Sequence, residues 1–221
     1  MKSDILLRNL ATHNFPVKKI SAVIPAYNEE SRIEDVISRT SNYVDEVIII
    51  DDNSIDRTAE VSRNAGGNVI SNKENIGYIE CIKKGFLHST GDIIGTLDGD
   101  GEHVPDEIPV ILKPIVEGKA DLVLGRRKKI SRISERFLNW FTNFKVKVED
   151  SGTGFRAITK ELALKLELKG KCTCGIFILE AVSLGANVAE VPVKIKPVKK
   201  NRRVAWHHFL QFFFILKWQL K

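Results

Sequence analysis

The stretch Thr96-Leu97-Asp98-Gly99-Asp100-Gly101-Glu102-His103 closes a short apolar run, Ile93-Ile94-Gly95-Thr96-Leu97, in a strand predicted at 91–97, and sets two carboxylates either side of one glycine where that run ends. An apolar run of this length reads as a buried strand, which places the carboxylates at its C-terminal tip. In an open α/β sheet that tip is where ligands bind, and hard oxygen ligands there suit Mg²⁺ or Mn²⁺ clamping a diphosphate. The plain alternative is a turn, because Asp-Gly pairs are ordinary turn formers. The surrounding sequence has to choose between the two.

Working outward, residues 20–24 form a similar run, stopped by Pro25 and followed by Ala26-Tyr27-Asn28-Glu29-Glu30 and a helical stretch with Ile33, Val36 and Ile37 on one face. Residues 44–50 read as another strand ending in Asp51-Asp52-Asn53-Ser54-Ile55-Asp56; Ser54 and Asp56 suit a helix start, and Gly66-Gly67 its close. A short strand at 69–70 precedes a helix over 78–88. Beyond the carboxylates, the pattern predicts a helix at 105–116 and a strand at 121–125 that empties into Arg126-Arg127-Lys128-Lys129. An aromatic-rich helix follows at 133–144, then a Gly-rich loop at 150–157, helices at 160–166 and 176–184, and a last strand at 188–195. Strands alternating with helices predict an α/β domain with a mostly parallel central sheet flanked by helices. No GxGxxG or Walker-A loop is present, so a dinucleotide fold or a P-loop enzyme has no support.

The chain of 221 residues, 43% hydrophobic and 28% charged, is long enough to bury a core and too apolar to be disordered. Its net charge of +6 concentrates in the 126–132 cluster and in residues 194–221, where every charge is basic. The three cysteines, Cys81, Cys172 and Cys174, do not make a disulfide framework, and Cys-x-Cys without a second ligand pair is weak as a zinc site; they read as reduced thiols. Residues 204–220 are rich in Trp and Phe directly after Lys199-Lys200-Asn201-Arg202-Arg203. Such an amphipathic helix suits a membrane interface, or packing on the protein's own core or on a twin subunit in a homodimer. No run is long enough to span a bilayer and no signal-peptide core is evident, which together predict a cytoplasmic protein, peripheral on the inner face of the membrane. Without a recognised nucleic-acid motif beside the basic charge, nucleic acid is not an expected partner.

Six motifs now stand in a definite order: Val23-Ile24-Pro25-Ala26-Tyr27-Asn28-Glu29-Glu30, Ile50-Asp51-Asp52-Asn53-Ser54-Ile55-Asp56-Arg57-Thr58, Asn75-Ile76-Gly77, Asp98-Gly99-Asp100-Gly101-Glu102-His103, Gly152-Thr153-Gly154-Phe155-Arg156-Ala157 and Glu190-Val191-Pro192-Val193. In this order they resemble glycosyltransferase family 2, nearest to the dolichyl (polyprenyl) phosphate sugar synthases, over about residues 20–203. The resemblance implies a GT-A fold over 20–203, with an N-terminal arm at 1–19 and a C-terminal amphipathic helix at 204–221. It implies donor contacts from Pro25, Ala26, Tyr27, Glu29, Ile50, Asp52, Gly77, Asp98, Gly99, Asp100 and Arg202. It further implies a Mg²⁺ or Mn²⁺ on Asp98, Asp100 and Glu102, where the branch usually has glutamine in place of Glu102. Catalytic roles fall to Asp98, Asp100, Arg127 and Asp150.

The implied reaction moves a hexose from a UDP- or GDP-sugar to a polyprenyl or dolichyl phosphate with inversion. A lipid phosphate is already ionised and needs cations to hold it, for which Arg127, Arg132, Arg136, Arg156, Arg202 and Arg203 are candidates. A hydroxyl acceptor would instead need a carboxylate base, and Asp150 or Glu180 would supply it. A sugar-phosphate nucleotidyltransferase would want a Gly-rich basic loop after the first strand, where Pro-Ala-Tyr-Asn-Glu stands instead. A non-catalytic scaffold docking a membrane partner through the tail is the alternative from another class, and the intact Asp98 and Asp100 argue against it.

Overall fold

The computed structural model describes residues 18–130, 132–198 and 205–220. A seven-stranded sheet runs in the order β3-β2-β1-β4-β6-β5-β7. Its strands are β1 (Ile20–Ala26), β2 (Glu46–Asp51), β3 (Asn68–Ser71), β4 (Ile93–Thr96), β5 (Leu122–Arg127), β6 (Arg156–Thr159) and β7 (Val188–Val193). The helices are α1 (Ile33–Thr40), α2 (Thr58–Asn64), α3 (Tyr78–His88), α4 (Ile108–Val116), α5 (Ile133–Thr142), α6 (Lys160–Lys165), α7 (Ile176–Ser183) and α8 (Ala205–Gln219). A 3₁₀ turn at Pro105–Glu107 leads into α4, where the sequence predicts one continuous helix.

The apolar runs form strands because both faces of the sheet are covered, so no alternation with polar residues is needed. Ile20, Ala22 and Ile24 face one layer with Ile33 and Ile37 of α1 and Ile111 and Ile115 of α4. Val23, Ile48 and Ile50 face the other, with Ile82 and Phe86 of α3 and Phe177 and Ile178 of α7. A smaller cluster joins Leu138 of α5, Cys174, Leu179 of α7 and Ile215 of α8.

Two strand expectations are corrected. Pro25 does not end β1, which continues to Ala26 with Pro25 opposite Ile50 and Ala26 opposite Asp51. The β1–β4 pairing stops at Val23 opposite Thr96, so Pro25 lies beyond the edge where a missing N–H would cost a ladder bond. The 150–157 stretch is not loop throughout, because Arg156 opens β6, which inserts antiparallel between β4 and β5. A four-residue strand headed by an arginine carries no periodicity to announce it.

Parallel pairing of β1 with β2 and β4 brings their C-terminal ends to one edge of the sheet. The loops at 27–30, 52–57 and 97–103 therefore share that edge. Two of them are stitched together: Ser54 Oγ accepts from the Asn28 N–H at 3.0 Å, Asn28 Oδ1 from the Ile55 N–H at 2.9 Å, and Thr58 Oγ1 from the Glu29 N–H at 2.7 Å. Asn28 and Asn53 adopt positive φ, a conformation asparagine tolerates in tight loops.

Candidate active site

The carboxylates that open the sequence reading sit on this edge, at the tip of β4. Asp98 accepts a hydrogen bond from the Tyr78 hydroxyl at 2.9 Å, and its backbone N–H donates to His103 Nδ1 at 2.9 Å. Loss of solvent around the phenol, and then the Asp98 charge, push Tyr78 ionisation well above its ordinary range, so Tyr78 serves Asp98 as a donor. His103 is buried and stacks on Phe155, with ring centroids 5.1 Å apart. The motif loop is thus pinned at both ends.

Asp98, Glu102 and His103 each place one ligand atom within 4.8 Å of the others. Because His103 Nδ1 accepts from the Asp98 N–H, the ring helps shape the loop, and the hard oxygens come from Asp98 and Glu102. Asp100 is not part of that trio; its Oδ1 accepts the Glu102 N–H at 3.0 Å and closes the turn that aims Glu102. An oxygen-rich set of this kind fits Mg²⁺ or Mn²⁺.

The same edge holds several of the residues expected to meet the donor. Gly99 packs against Pro25 and Ala26, and Tyr27 stands partly exposed just beyond β1. The Asp52 carboxylate is buried and accepts from the Ile76 N–H at 2.8 Å, the Gly77 N–H at 2.9 Å and Asn72 Nδ2 at 3.0 Å. It holds the Asn75-Ile76-Gly77 loop and also meets the Cys81 thiol, so its acceptor positions are largely engaged within the protein. Ile50 is 0% exposed, in the layer beneath α3, so its side chain contributes core rather than a ligand contact. Arg202, Arg203 and most of the 1–19 arm lie outside the described residues.

A cavity of about 330 Å³ opens beside the motif, lined by Tyr78, Asp98, Glu102, His103, Arg127, Arg132, Glu135, Gly152, Gly154, Thr173, Cys174, Val198 and His208. Arg127 lies on its wall as the sequence led one to expect, but its charge is already matched. Nε and Nη2 bind Asp150 as a fork at 2.7 and 2.9 Å, and Nη2 also meets Glu135 at 3.1 Å. Burial works against the Arg127 charge; the hydrogen bond and charge of Asp150, then Glu135 and Glu102, outweigh it and raise the arginine's pKa. Asp150, 0% exposed, is the structural partner of Arg127 and not an open base. Glu180 is buried too, its oxygens accepting the Glu167 and Leu168 N–H groups at 2.5 and 2.8 Å.

Of the other arginines, Arg132 meets Glu135 at 3.1 Å and keeps a third of its side chain exposed at the cavity. Arg156 is fully buried, bonded to Thr173 Oγ1 at 2.9 Å with its guanidinium carbon 4.5 Å from the Phe177 ring centre. It braces the site from below.

The sequence reading missed Tyr78, Glu135 and the α8 residues His208 and Gln211. Tyr78 directly follows the Asn75-Ile76-Gly77 motif, and His208 and Gln211 are polar residues one turn apart on an aromatic-rich helix. A polar stripe on such a helix is a signal that it faces inward to partners. On α8 the inward face is His208, Gln211 and Ile215, while Trp206, Phe209 and Phe213 face out.

The model of the family described as "Glycosyl transferase family 2" matches residues 21–178. The chain belongs to glycosyltransferase family 2. Among curated relatives of this glycosyltransferase, a UDP-N-acetylglucosamine–dolichyl-phosphate N-acetylglucosaminyltransferase of Methanococcus voltae is 30% identical over 80% of this chain and 85% of the relative. An undecaprenyl-phosphate 4-deoxy-4-formamido-L-arabinose transferase of Salmonella paratyphi B is 38% identical over 47% of this chain, which spans 35% of that protein. Glucosyl-3-phosphoglycerate synthase of Mycobacterium tuberculosis, solved with UDP, superimposes with a TM-score of 0.79 at 23% identity, covering 98% of this chain and 83% of that one. The same synthase has been solved with Mn²⁺, UDP and glucosyl-3-phosphoglycerate. The shared architecture is the GT-A fold, and the chain is a glycosyltransferase.

Proposed function

We propose that this enzyme transfers a hexose from a UDP- or GDP-sugar to a polyprenyl or dolichyl phosphate, with inversion and with a divalent cation, at the cytoplasmic face of a membrane. The carrying observation is the lining of one cavity, which brings Asp98 and Glu102 together with Arg127 and Arg132. The titratable carboxylates of that wall, Asp98, Glu102 and Glu135, would repel a diphosphate if left alone. A cation held by Asp98 and Glu102, with Asp100 shaping their turn, would neutralise the charge that develops on the leaving diphosphate.

The remaining roles belong to the chain's own residues. Tyr78 and His103 hold the Asp98 loop in place, and the 27–30 and 52–57 loops offer the nucleoside surface. A phosphate oxygen of the acceptor attacks the anomeric carbon as the bond to the diphosphate breaks, and the nucleoside diphosphate departs. Of the two arginines described on the cavity, Arg132, paired with Glu135 but a third exposed, has more room to meet the acceptor phosphate than Arg127, which Asp150 and Glu135 already match. The engagement of both base candidates, Asp150 and Glu180, supports an acceptor that arrives ionised over a hydroxyl acceptor.

The outward aromatics of α8, with Phe137 and Trp140 of α5 and Phe144 just beyond its end, make an exposed apolar surface suited to the membrane in which such a lipid resides. No helix among the described residues is long and apolar enough to cross a membrane. The test is sugar transfer to polyprenyl phosphate and to the free polyprenol, from UDP- and GDP-sugars, with Mn²⁺ or with EDTA. The phosphate alone should accept, and only with metal. Transfer that survives exhaustive EDTA, or that prefers the alcohol, overturns the reading.

A further inference from the structure

We infer that Cys172, Cys174 and His208 form a zinc site, separate from the carboxylate site, that fastens α8 to the catalytic body. In the sequence the two cysteines are an isolated Cys-x-Cys, and the third ligand is 34 residues away on another element. The fold brings them together: one ligand atom from each lies within 4.8 Å of the other two. Cys174 Sγ and His208 Nε2 are 3.8 Å apart. Ligands on one tetrahedral zinc, with its usual bond lengths, stand about 3.6 Å apart, so this pair is already near coordination spacing.

The supporting contacts are those a metal site requires. Ser134 Oγ lies 2.7 Å from His208 Nδ1; accepting the Nδ1 proton, it leaves the Nε2 lone pair facing the sulfurs. Gln211, fully buried one turn further along α8, accepts the Lys171 N–H at 2.8 Å and the Cys172 N–H at 3.2 Å, and donates to the Cys174 carbonyl at 3.2 Å. The cysteine segment and the histidine are therefore oriented by contacts other than their own.

The donor set selects the ion. Two thiolates and an imidazole favour zinc over Mg²⁺ or Mn²⁺, which the carboxylates near Asp98 suit better. Binding exchanges the two thiol protons for one Zn²⁺, which leaves the buried site with no net charge. Cys174 and His208 also line the cavity, so the fourth position of the zinc opens toward it and takes water or an oxygen of a bound ligand.

The probe is Co²⁺, added to the full chain after chelator stripping and under a non-thiol reductant. One equivalent should produce a thiolate-to-cobalt charge-transfer band in the near ultraviolet. Zn²⁺ should abolish the band, and zinc binding to the stripped chain should release about two protons and raise the melting temperature. Cys172→Ser, at a partly exposed position that tolerates the change, and His208→Gln should both lose the band, whereas Asp100→Asn should keep it. Absence of a band in the wild-type chain overturns the proposal, and so does a band that persists in Cys172→Ser.

Discussion

Gly154 lies so close to Asp98 that a Cβ at position 154 would stand 2.8 Å from Asp98 Oδ1 and 3.0 Å from His103 Cε1. The glycine of one motif is therefore the floor under the carboxylate of another. Gly154→Ala should displace Asp98, which Tyr78 and the loop otherwise hold, and lower kcat by on the order of a hundredfold, because small misplacements at a reacting centre are costly. Steady-state kinetics beside a melting curve checks this; a fully active Gly154→Ala enzyme would show that the Asp98 position is not critical.

Asp150 is bound to Arg127 through a two-point fork, with Glu135 on the same guanidinium. Asp150→Ala leaves a largely desolvated arginine short of its main partner and should cost about 3–5 kcal/mol of stability. Chemical denaturation measures it. If Asp150→Ala keeps wild-type stability and loses only turnover, Asp150 is a base after all.

Burial first, then the charge and hydrogen bond of Asp52, push the Cys81 thiol up to about 12. An unfolded thiol ionises near 8.5, so above that pH the folded chain keeps a proton that the unfolded chain releases, with the unfolded value about that of a free cysteine. The Cys81 contribution to stability is therefore whole below about 8.5 and is lost as pH climbs toward the folded value, at up to about 1.4 kcal/mol per pH unit. Urea unfolding of wild type and Cys81→Ala at about pH 8 and about pH 10 should show the gap between them shrinking at the higher pH. A constant gap would contradict the linkage.

Trp140 on α5 and Trp206 on α8 are 58% and 65% exposed. Trp140→Ser and Trp206→Ser should each change stability by no more than about 0.5 kcal/mol. Sedimentation with anionic vesicles should fall clearly in the double variant, which keeps its melting temperature. Undiminished vesicle binding would remove this surface from the proposed membrane face.

The sequence by itself determined the order of most elements, β6 excepted, and the place of the Asp98 motif at the tip of a strand. Apolar runs such as 20–24 and 93–97 become sheet interior because burial is encoded locally in the spacing of apolar residues, and the Asp98 motif follows its strand directly. The helix expected at 78–88 is α3 with those same bounds. Only the tertiary structure decided what the charges do. Arg127 finds Asp150 across 23 residues, Asp52 spends its oxygens on a loop 24 and 25 residues away, and His208 reaches Cys174 across 34. A carboxylate or guanidinium acts according to which partner first satisfies it in a desolvated site, and that partner is set by strand order and helix docking. The insertion of β6 against the grain of its neighbours and the inward polar stripe of α8 are long-range outcomes of the same kind.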